Sequence, residues 1–243
     1  MKEKETVTAR EDIALVIPVC DPDAERFPPL VRRLREDFMH VVVVDDGSAQ
    51  GREAFDAVRG DVDVVLVHEV NRGKGAALRT AFAWVRANLP HVAGVVTVDG
   101  DGQHDPEDVR RVAEALAEGP STGLVLGVRT FASNVPFRSK LGNFWTRGLF
   151  RVLTGLAVSD TQTGLRGIPA PLLPRLLAIP GGRYEYEIRM LADARRHPAP
   201  PIEVPVRTIY LDGNASSHYR PLRDTFRTQL ALWGSLFRRN YST

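Results

Sequence analysis

The sequence predicts an α/β protein with a mostly parallel sheet flanked by helices. Three observations predict it. Apolar, β-branched runs recur at Ile13–Val19, Val41–Val44, Val64–Val67, Val95–Val98 and Leu124–Val128. These runs lack polar alternation, so each strand is expected to be buried on both faces. Stretches of helical character separate them, which is the alternation of βαβ units.

The elements follow in order. Ile13–Val19 (IALVIPV) is the first strand and leads into VCDP. Pro28–Phe38 reads as a helix. Val41–Val44 is a second strand and ends in DDGS. Residues 51–58 read as a short helix, and Val64–Val67 as a third strand. Gly73–Leu89 is a long helical segment rich in Ala and Leu, stopped by Pro90. Val95–Val98 is a fourth strand, Pro106–Glu118 a further helix and Leu124–Val128 a fifth strand. Beyond about residue 130 the chain reads as more helical and more basic. Ligands of open parallel sheets bind outside the carboxyl ends of the strands. Three polar motifs, PVCDP, VDDGS and VDGDGQHD, sit at such ends.

Length and composition set limits. The chain has 243 residues and a formal net charge of +2, with a pI of about 8.8. That length fits one large domain. The near-balanced charge names no partner, and no nucleic-acid partner is expected. One cysteine, Cys20, excludes an intrachain disulfide and fits a reducing compartment. No apolar run reaches the roughly 20 residues that span a bilayer. The start, MKEKETVTARED, carries no apolar signal region. A cytoplasmic location is therefore expected, with contact to a membrane surface left open.

The acidic stretch VVTVDGDGQHDP (Val95–Pro106) places Asp99, Asp101 and Asp105 at the tip of a buried strand. A solvated turn is the plain reading, since Asp and Gly are turn residues. An EF-hand loop does not fit. Glycine falls too early, and Arg110 stands where the closing glutamate belongs. An aspartyl nucleophile would be expected on the first strand, not the fourth. The remaining reading is a D-x-D metal site. Asp99, Asp101 and the amide oxygen of Gln103 would offer hard oxygen donors to Mg²⁺ or Mn²⁺. His104 reads as a helix-start residue more readily than as a ligand. In VVVVDDGS, Asp45 and Asp46 suit a nucleobase or ribose, although D-G-S is also plain turn chemistry. In NRGKGAALRTA (Asn71–Ala81), helix-terminal amides and Lys74 suit phosphate. The P-loop spacing is absent.

Taken in this order, the motifs VIPVCDP, VVVVDDGS, NRGKGAALRTA, VTVDGDGQHDPED, LVLGVR, SDTQTGLRG and YEYEIRML resemble the family-2 glycosyltransferases of GT-A fold. More narrowly, they resemble the polyprenyl-phosphate sugar synthases. The likeness spans roughly residues 13 to 220. It implies a catalytic domain over 13–220, preceded by an N-terminal extension (1–12) and followed by an amphipathic helix (221–243). It implies that Pro18, Cys20 and Pro22 line the nucleotide pocket, and that Asp45 and Asp46 hold base or ribose. Asp99 and Gly100 would face the ribose or sugar. Asp101 and Gln103, with Asp99, would bind the metal. Arg129 would lie near a phosphate and Asp160 near the reacting sugar. Arg207 and the loop Gly213–His218 would close over the donor diphosphate. Many relatives carry Tyr-Asn-Glu where this chain has Cys20-Asp21-Pro22, so that wall is altered.

The resemblance implies an inverting transfer of a hexose from GDP-mannose or UDP-glucose to a polyprenyl phosphate. Arg138–Gly155 interleaves Arg138, Lys140, Arg147 and Arg151 with Leu, Phe and Trp. That pattern suits a helix lying on anionic lipid, with Arg138 and Arg147 on the acceptor phosphate. It equally suits a core helix with snorkelling arginines. The C-terminal run PLRDTFRTQLALWGSLFRRN repeats the pattern and suits lipid, the sheet or a homo-oligomer contact. Three other functions compete. One is a glycosyltransferase acting on a hydroxyl, with Asp160 as base. Another is a nucleotidyltransferase, disfavoured because PVCDPDAERF is not a glycine-rich basic loop. The third is a sugar-nucleotide-binding regulator without turnover, disfavoured by the intact Asp99, Asp101 and Gln103 set.

Overall fold

The structure is a computed structural model that describes residues 12–129, 148 and 150–207. Arg138, Arg147, the Gly213–His218 loop, the 221–243 helix and all but the last residue of the 1–12 extension lie outside the described residues. Of the Arg138–Gly155 stretch, residues 148 and 150–155 are described, and 148 and 150–154 are helical.

Among the described residues, seven strands form one sheet in the order β3-β2-β1-β4-β6-β5-β7. The strands are β1 (Ile13–Val19), β2 (His40–Asp45), β3 (Val64–Val67), β4 (Gly94–Thr97), β5 (Val125–Arg129), β6 (Arg166–Pro169) and β7 (Ile202–Val206). Of these strands, β6 alone runs antiparallel, wedged between β4 and β5. The long helices are α1 (Phe27–Arg35), α3 (Lys74–Asn88), α4 (Pro106–Glu118) and α6 (Tyr184–Asp193); α2 (Glu53–Asp56) and α5 (Leu173–Leu177) are short.

The period of two along each strand explains the unbroken apolar runs. Ile13, Leu15, Ile17, Val41 and Val43 pack into one layer, with Phe27, Val31 and Leu34 of α1 and Val109, Val112 and Leu116 of α4. Ala14, Val16, Val42 and Val44 face the other layer, with Leu78, Phe82 and Val85 of α3 and Tyr186 and Met190 of α6. Both faces of the central strands are thus covered, as the sequence predicts. β3 departs from that expectation, being only half-buried with Val67 exposed, because it lies at the sheet edge. A third, smaller cluster of Leu126, Val128, Phe150, Val158, Ile188 and Leu191 backs the end of β5.

Several boundaries shift for local reasons. The first helix ends at Arg35, not Phe38, because Asp37 and Phe38 both donate to the Leu34 carbonyl and tighten the last turn. Helix α3 begins after Gly73, whose φ of 93° lies in the left-handed region. A side chain there would also meet the Gly182 carbonyl at 2.5 Å. Strand β5 runs one residue further than Val128 and ends on Arg129. Strands β6 and β7 are absent from the sequence reading. β6 is four residues long, RGIP, with buried Arg166 in place of an aliphatic residue. β7 carries Pro205 and lies at the sheet edge, where a missing N–H is tolerated.

One buried charge cluster sets an acid limit. Asp193, at the end of α6, accepts from Nε and Nη2 of Arg175 and from Arg196 at 3.2 Å. Burial opposes its charge, but the Arg175 guanidinium outweighs burial and holds the carboxyl well below its usual range. A depressed folded-state pKa adds stability that is complete above the unfolded value and lost as pH falls. The thermal midpoint is expected to decline between about pH 5 and pH 2, and Asp193→Asn to flatten that decline. Melting curves across that range check it; identical slopes for both proteins would remove Asp193 from the account.

Candidate functional site

The strand order reverses direction between β1 and β4, so a crevice opens beyond their carboxyl ends. The Asp99–Gln103 loop lies there. Gly100 lets it lie against β1, since a Cβ at Gly100 would sit 2.8 Å from the Val19 side chain. This packing joins the acidic loop to the VCDP turn that follows β1.

The turns after β1 and β2 are tied to each other. Asp21 has φ 51°. Its backbone N–H donates to Ser48 Oγ at 2.8 Å, and its carboxylate accepts from Ala49 N at 2.7 Å and Gln50 N at 2.9 Å. Pro18 and Pro22 are buried. Cys20 is half-buried, and Asn71 Nδ2 donates to its Sγ at 3.2 Å. Burial pushes its thiol pKa up, so Cys20 is a weak nucleophile here. Asp45 accepts from Ser48 N at 2.8 Å. Asp46 is buried and fully engaged by protein donors. It accepts from Arg72 N at 3.0 Å and Gly73 N at 2.7 Å, and pairs with His68 Nδ1 at 2.7 Å. Its visible work is to seat the NRGKG turn at the start of α3.

Lys74 does not project as an isolated phosphate ligand. Its Nζ lies 2.5 Å from Asp99 Oδ1 and 2.9 Å from Glu187 Oε1. Burial disfavours its charge, but the two carboxylates outweigh burial and raise its pKa. Asp99 responds in kind: against burial, Lys74 and His104 hold its carboxyl far below the usual range. His104 Nε2 stands 3.4 Å from Asp99 Oδ2. The helix cap is Asp105 instead, which accepts from Glu107 N at 3.0 Å. Asp101 is the opposite case. Burial, and then the charge of Asp99, push its carboxyl up, while the Gln103 N–H offsets part of this from 3.0 Å.

Arg129 and Asp160, expected to serve phosphate and sugar separately, form one bidentate pair. Arg129 Nε donates to Asp160 Oδ2 at 2.7 Å and Nη2 to Oδ1 at 3.2 Å. Asp160 is fully buried and also accepts from Gln162 N at 2.9 Å. Arg207 follows β7 and reaches the first turn of α4. Its backbone N–H donates to Asp108 at 2.7 Å and its Nη2 to Glu107 at 2.6 Å, with Asp105 at 3.5 Å. That places it beside the acidic loop, already occupied by three carboxylates.

The profile of glycosyl transferase family 2 matches residues 14–166, which covers β1 through the start of β6. The chain belongs to glycosyl transferase family 2. It is similar to polyprenol monophosphomannose synthase of Mycolicibacterium smegmatis, with 29% identity over 217 residues, 83% of this chain and 78% of that protein. It is also similar to undecaprenyl-phosphate mannosyltransferase of Micrococcus luteus, with 29% identity over 206 residues, 80% of this chain and 82% of that protein. Its fold is similar to that of glucosyl-3-phosphoglycerate synthase from Mycobacterium tuberculosis, solved with Mn²⁺, uridine-diphosphate and glucosyl-3-phosphoglycerate. The TM-score is 0.73 at 17% identity, covering 98% of this chain and 85% of that one. At such identity the likeness is one of fold. The GT-A architecture and the glycosyltransferase activity expected from the motifs are therefore those of this protein.

Within this family-2 glycosyltransferase, the structure adds residues that the sequence reading left without a role. Glu187 lies on the buried face of α6, among Tyr186, Ile188 and Met190. A carboxylate on an apolar face needs a buried partner, and here it is Lys74. That placement was the available signal. Arg166 is buried at the start of β6, with Nη1 on the Glu187 carbonyl at 2.6 Å and Nε on the Thr163 carbonyl at 2.9 Å. Burial lowers its pKa, against the carboxylates of Glu187, Asp160 and Asp99. It stands electrostatically between the two acidic centres. Thr97 Oγ1 donates to the Gly164 carbonyl at 2.8 Å and pins the SDTQTGLRG loop onto β4.

Gly164 is required by close approach. A Cβ there would run into both carboxylate oxygens of Asp99 and lie 2.7 Å from Lys74 Nζ. Gly164→Ala should therefore displace Asp99 and cost about 1–3 kcal/mol of stability through overpacking. Transfer activity should fall about tenfold or more, since misplacement near 1 Å suffices for larger losses. Melting curves and kcat/KM check both; a variant with parental kcat/KM would show that Asp99 has room to move.

Proposed function

We propose that this glycosyltransferase moves a hexose, with inversion, from a nucleotide-diphosphate sugar such as GDP-mannose or UDP-glucose to a polyprenyl phosphate. The observation that carries the choice of acceptor is the Arg129–Asp160 pair. Both oxygens of Asp160 are held by one guanidinium, and the carboxylate is fully buried. A carboxylate so committed is poorly placed to take a proton from an acceptor hydroxyl. A phosphate acceptor is already ionised and needs no such base. The names of the two curated relatives, both polyprenyl-phosphate enzymes, support the same choice.

The residues would act as follows. Pro18, Cys20, Pro22 and Asp45 line the nucleotide side, with Asp46 holding the turn before α3. Asp99 and Gly100 face the sugar, with Asp99 kept ionised and oriented by Lys74. Asp101 with Gln103, supported by Asp99, would hold Mg²⁺ or Mn²⁺. Their hard oxygens and the raised Asp101 pKa fit a divalent cation. Among the described residues no group of three or more His, Cys, Asp or Glu is assembled to hold a metal. Donor phosphate oxygens would complete the shell, as is usual for Mg²⁺. When bound, the ion would neutralise charge on the leaving nucleoside diphosphate. Arg129, with Arg138 and Arg147, positions the acceptor phosphate by charge-assisted hydrogen bonds. Arg207 supports the donor side from the start of α4. No helix among the described residues is long and apolar enough to cross a membrane. Access to the lipid would be peripheral, from the cytoplasmic face, through the basic aromatic stretch Arg138–Gly155, apart from Phe150, which is buried in the core.

The test is a transfer screen. Purified protein, Mg²⁺ or Mn²⁺, a panel of GDP- and UDP-sugars and undecaprenyl phosphate are incubated, and the lipid fraction is read by mass. Metal-dependent appearance of a lipid-phosphate sugar is expected. Donor binding with unmodified lipid, alongside transfer to a hydroxyl acceptor, would overturn the polyprenyl reading.

A further inference from the structure

We infer a second metal site, for a borderline transition cation, at the end of the sheet opposite the catalytic loops. His40 opens β2 and His91 precedes β4. Asp45, at the catalytic end, closes the same β2 strand, about 16 Å away at the rise of an extended chain. The inference stands apart from the proposed donor and acceptor.

The geometry is that of two imidazoles converging on one point. His40 Nε2 and His91 Nε2 are 3.2 Å apart. The ring centroids are 5.2 Å apart and the planes meet at 63°. Two nitrogens bound at about 2.05 Å to one tetrahedral Zn²⁺ lie about 3.3 Å from each other. The remote nitrogen of His40 faces a carboxylate. His40 Nδ1 is 3.6 Å from Asp63 Oδ1. It is buried and has no closer hydrogen-bond partner among the described residues. Asp63 is itself fixed, because its Oδ2 accepts from Val41 N at 2.6 Å and lies 3.7 Å from Arg35. A carboxylate behind the far ring nitrogen favours the proton on Nδ1 and leaves the Nε2 lone pair directed at His91, where an ion would take it, and a carboxylate at the far nitrogen is how ligating histidines are supported. His91 is exposed, so an ion has a route in.

The donor type selects the metal. Imidazole nitrogen suits Zn²⁺, Ni²⁺ and Cu²⁺, whereas carboxylate and amide oxygens suit Mg²⁺ and Mn²⁺. The two ends of the sheet would thus sort cations by softness, with waters completing the shell at the histidines. The ligands come from segments flanking β1 on either side. A bound ion would clip them together and raise stability by mass action.

The experiment is a calorimetric titration of Ni²⁺ into the full chain, without a polyhistidine tag and in excess Mg²⁺. Parallel melting curves are recorded with and without Ni²⁺. One Ni²⁺ per chain is expected, with a raised melting midpoint. His91→Ala, an exposed change that leaves the core intact, should weaken binding at least about tenfold and abolish the midpoint shift. Asp101→Asn should leave both unchanged. Three results would overturn the site: no Ni²⁺ bound by the parent, equal binding by His91→Ala, or binding lost in Asp101→Asn. The first two would leave the histidine pair as an N–H···N hydrogen bond.

Discussion

Replacing Asp101 with Asn is expected to lower kcat/KM for sugar transfer by about 10²–10³-fold. The thermal midpoint should stay level or rise. The two effects separate because of the site's electrostatics. Burial and the neighbouring Asp99 already push the Asp101 carboxyl up, so its negative charge costs the folded state. Asparagine keeps the shape and the oxygen that accepts from Gln103 N while removing that charge. Under the proposed function it would also remove the anionic donor for a divalent cation that would neutralise charge on the leaving diphosphate. Steady-state kinetics over a Mn²⁺ series, beside melting curves, provide the check. Parental activity and an unchanged Mn²⁺ dependence would take Asp101 out of the metal site. A lowered midpoint would mean that its charge stabilises the fold, against the electrostatic reading.

The second large effect is on stability. Lys74→Met should destabilise the protein by about 3–5 kcal/mol, as expected when one partner of a buried ion pair is removed. Lys74 is 16% exposed and Glu187 10%, so solvent screens the cluster little; Asp99, at 30%, is somewhat better hydrated. The change leaves two carboxylates with no ammonium between them. For a chain of this size that corresponds to a melting midpoint lower by about 10 °C. Adding Glu187→Gln to Lys74→Met should recover part of the loss, because one of the stranded charges is gone. No recovery in the double variant would show that the loss arises from packing and not from charge. Activity of Lys74→Met should also collapse, since Asp99 loses the partner that orients it.

Much of this molecule was legible in the sequence. The β-branched runs give β1 to β5 nearly residue by residue. β1, β2, β4 and β5 are buried on both faces, which leaves no choice but continuous apolar sequence, and the edge strand β3 is given by its β-branched valines alone. The polar motifs at their ends mark the edge where the candidate site lies, because backbone there leaves the sheet and is free to carry function. Asp99, Asp101 and Gln103 are visible as polar groups crowded at the tip of an apolar run, whereas Asp160, in the polar stretch SDTQTG, is marked only by the family resemblance. Strands β6 and β7 are not visible in this way. RGIP has an arginine and a glycine where a strand would carry aliphatics, and only pairing with β4 and β5 makes it β-structure. IEVPV holds a proline that only an edge position tolerates.

The tertiary structure alone decided which charge meets which. Arg129 and Asp160 lie 31 positions apart in sequence, and the pairing that binds both Asp160 oxygens exists only because β5 ends beside the loop before β6. Lys74, Asp99 and Glu187 come from three separate elements, and His40 and His91 are 51 positions apart. The sequence by itself determined a mostly parallel α/β fold with an acidic loop after β4, because local burial patterns and strand-end motifs are properties of short segments, and the ordered motifs carried the resemblance to the family-2 glycosyltransferases. It did not determine which acid is ionised, which is strained upward or which is held by arginine. Those depend on distances of a few ångströms between segments far apart in the chain, and electrostatic energies vary steeply over that range.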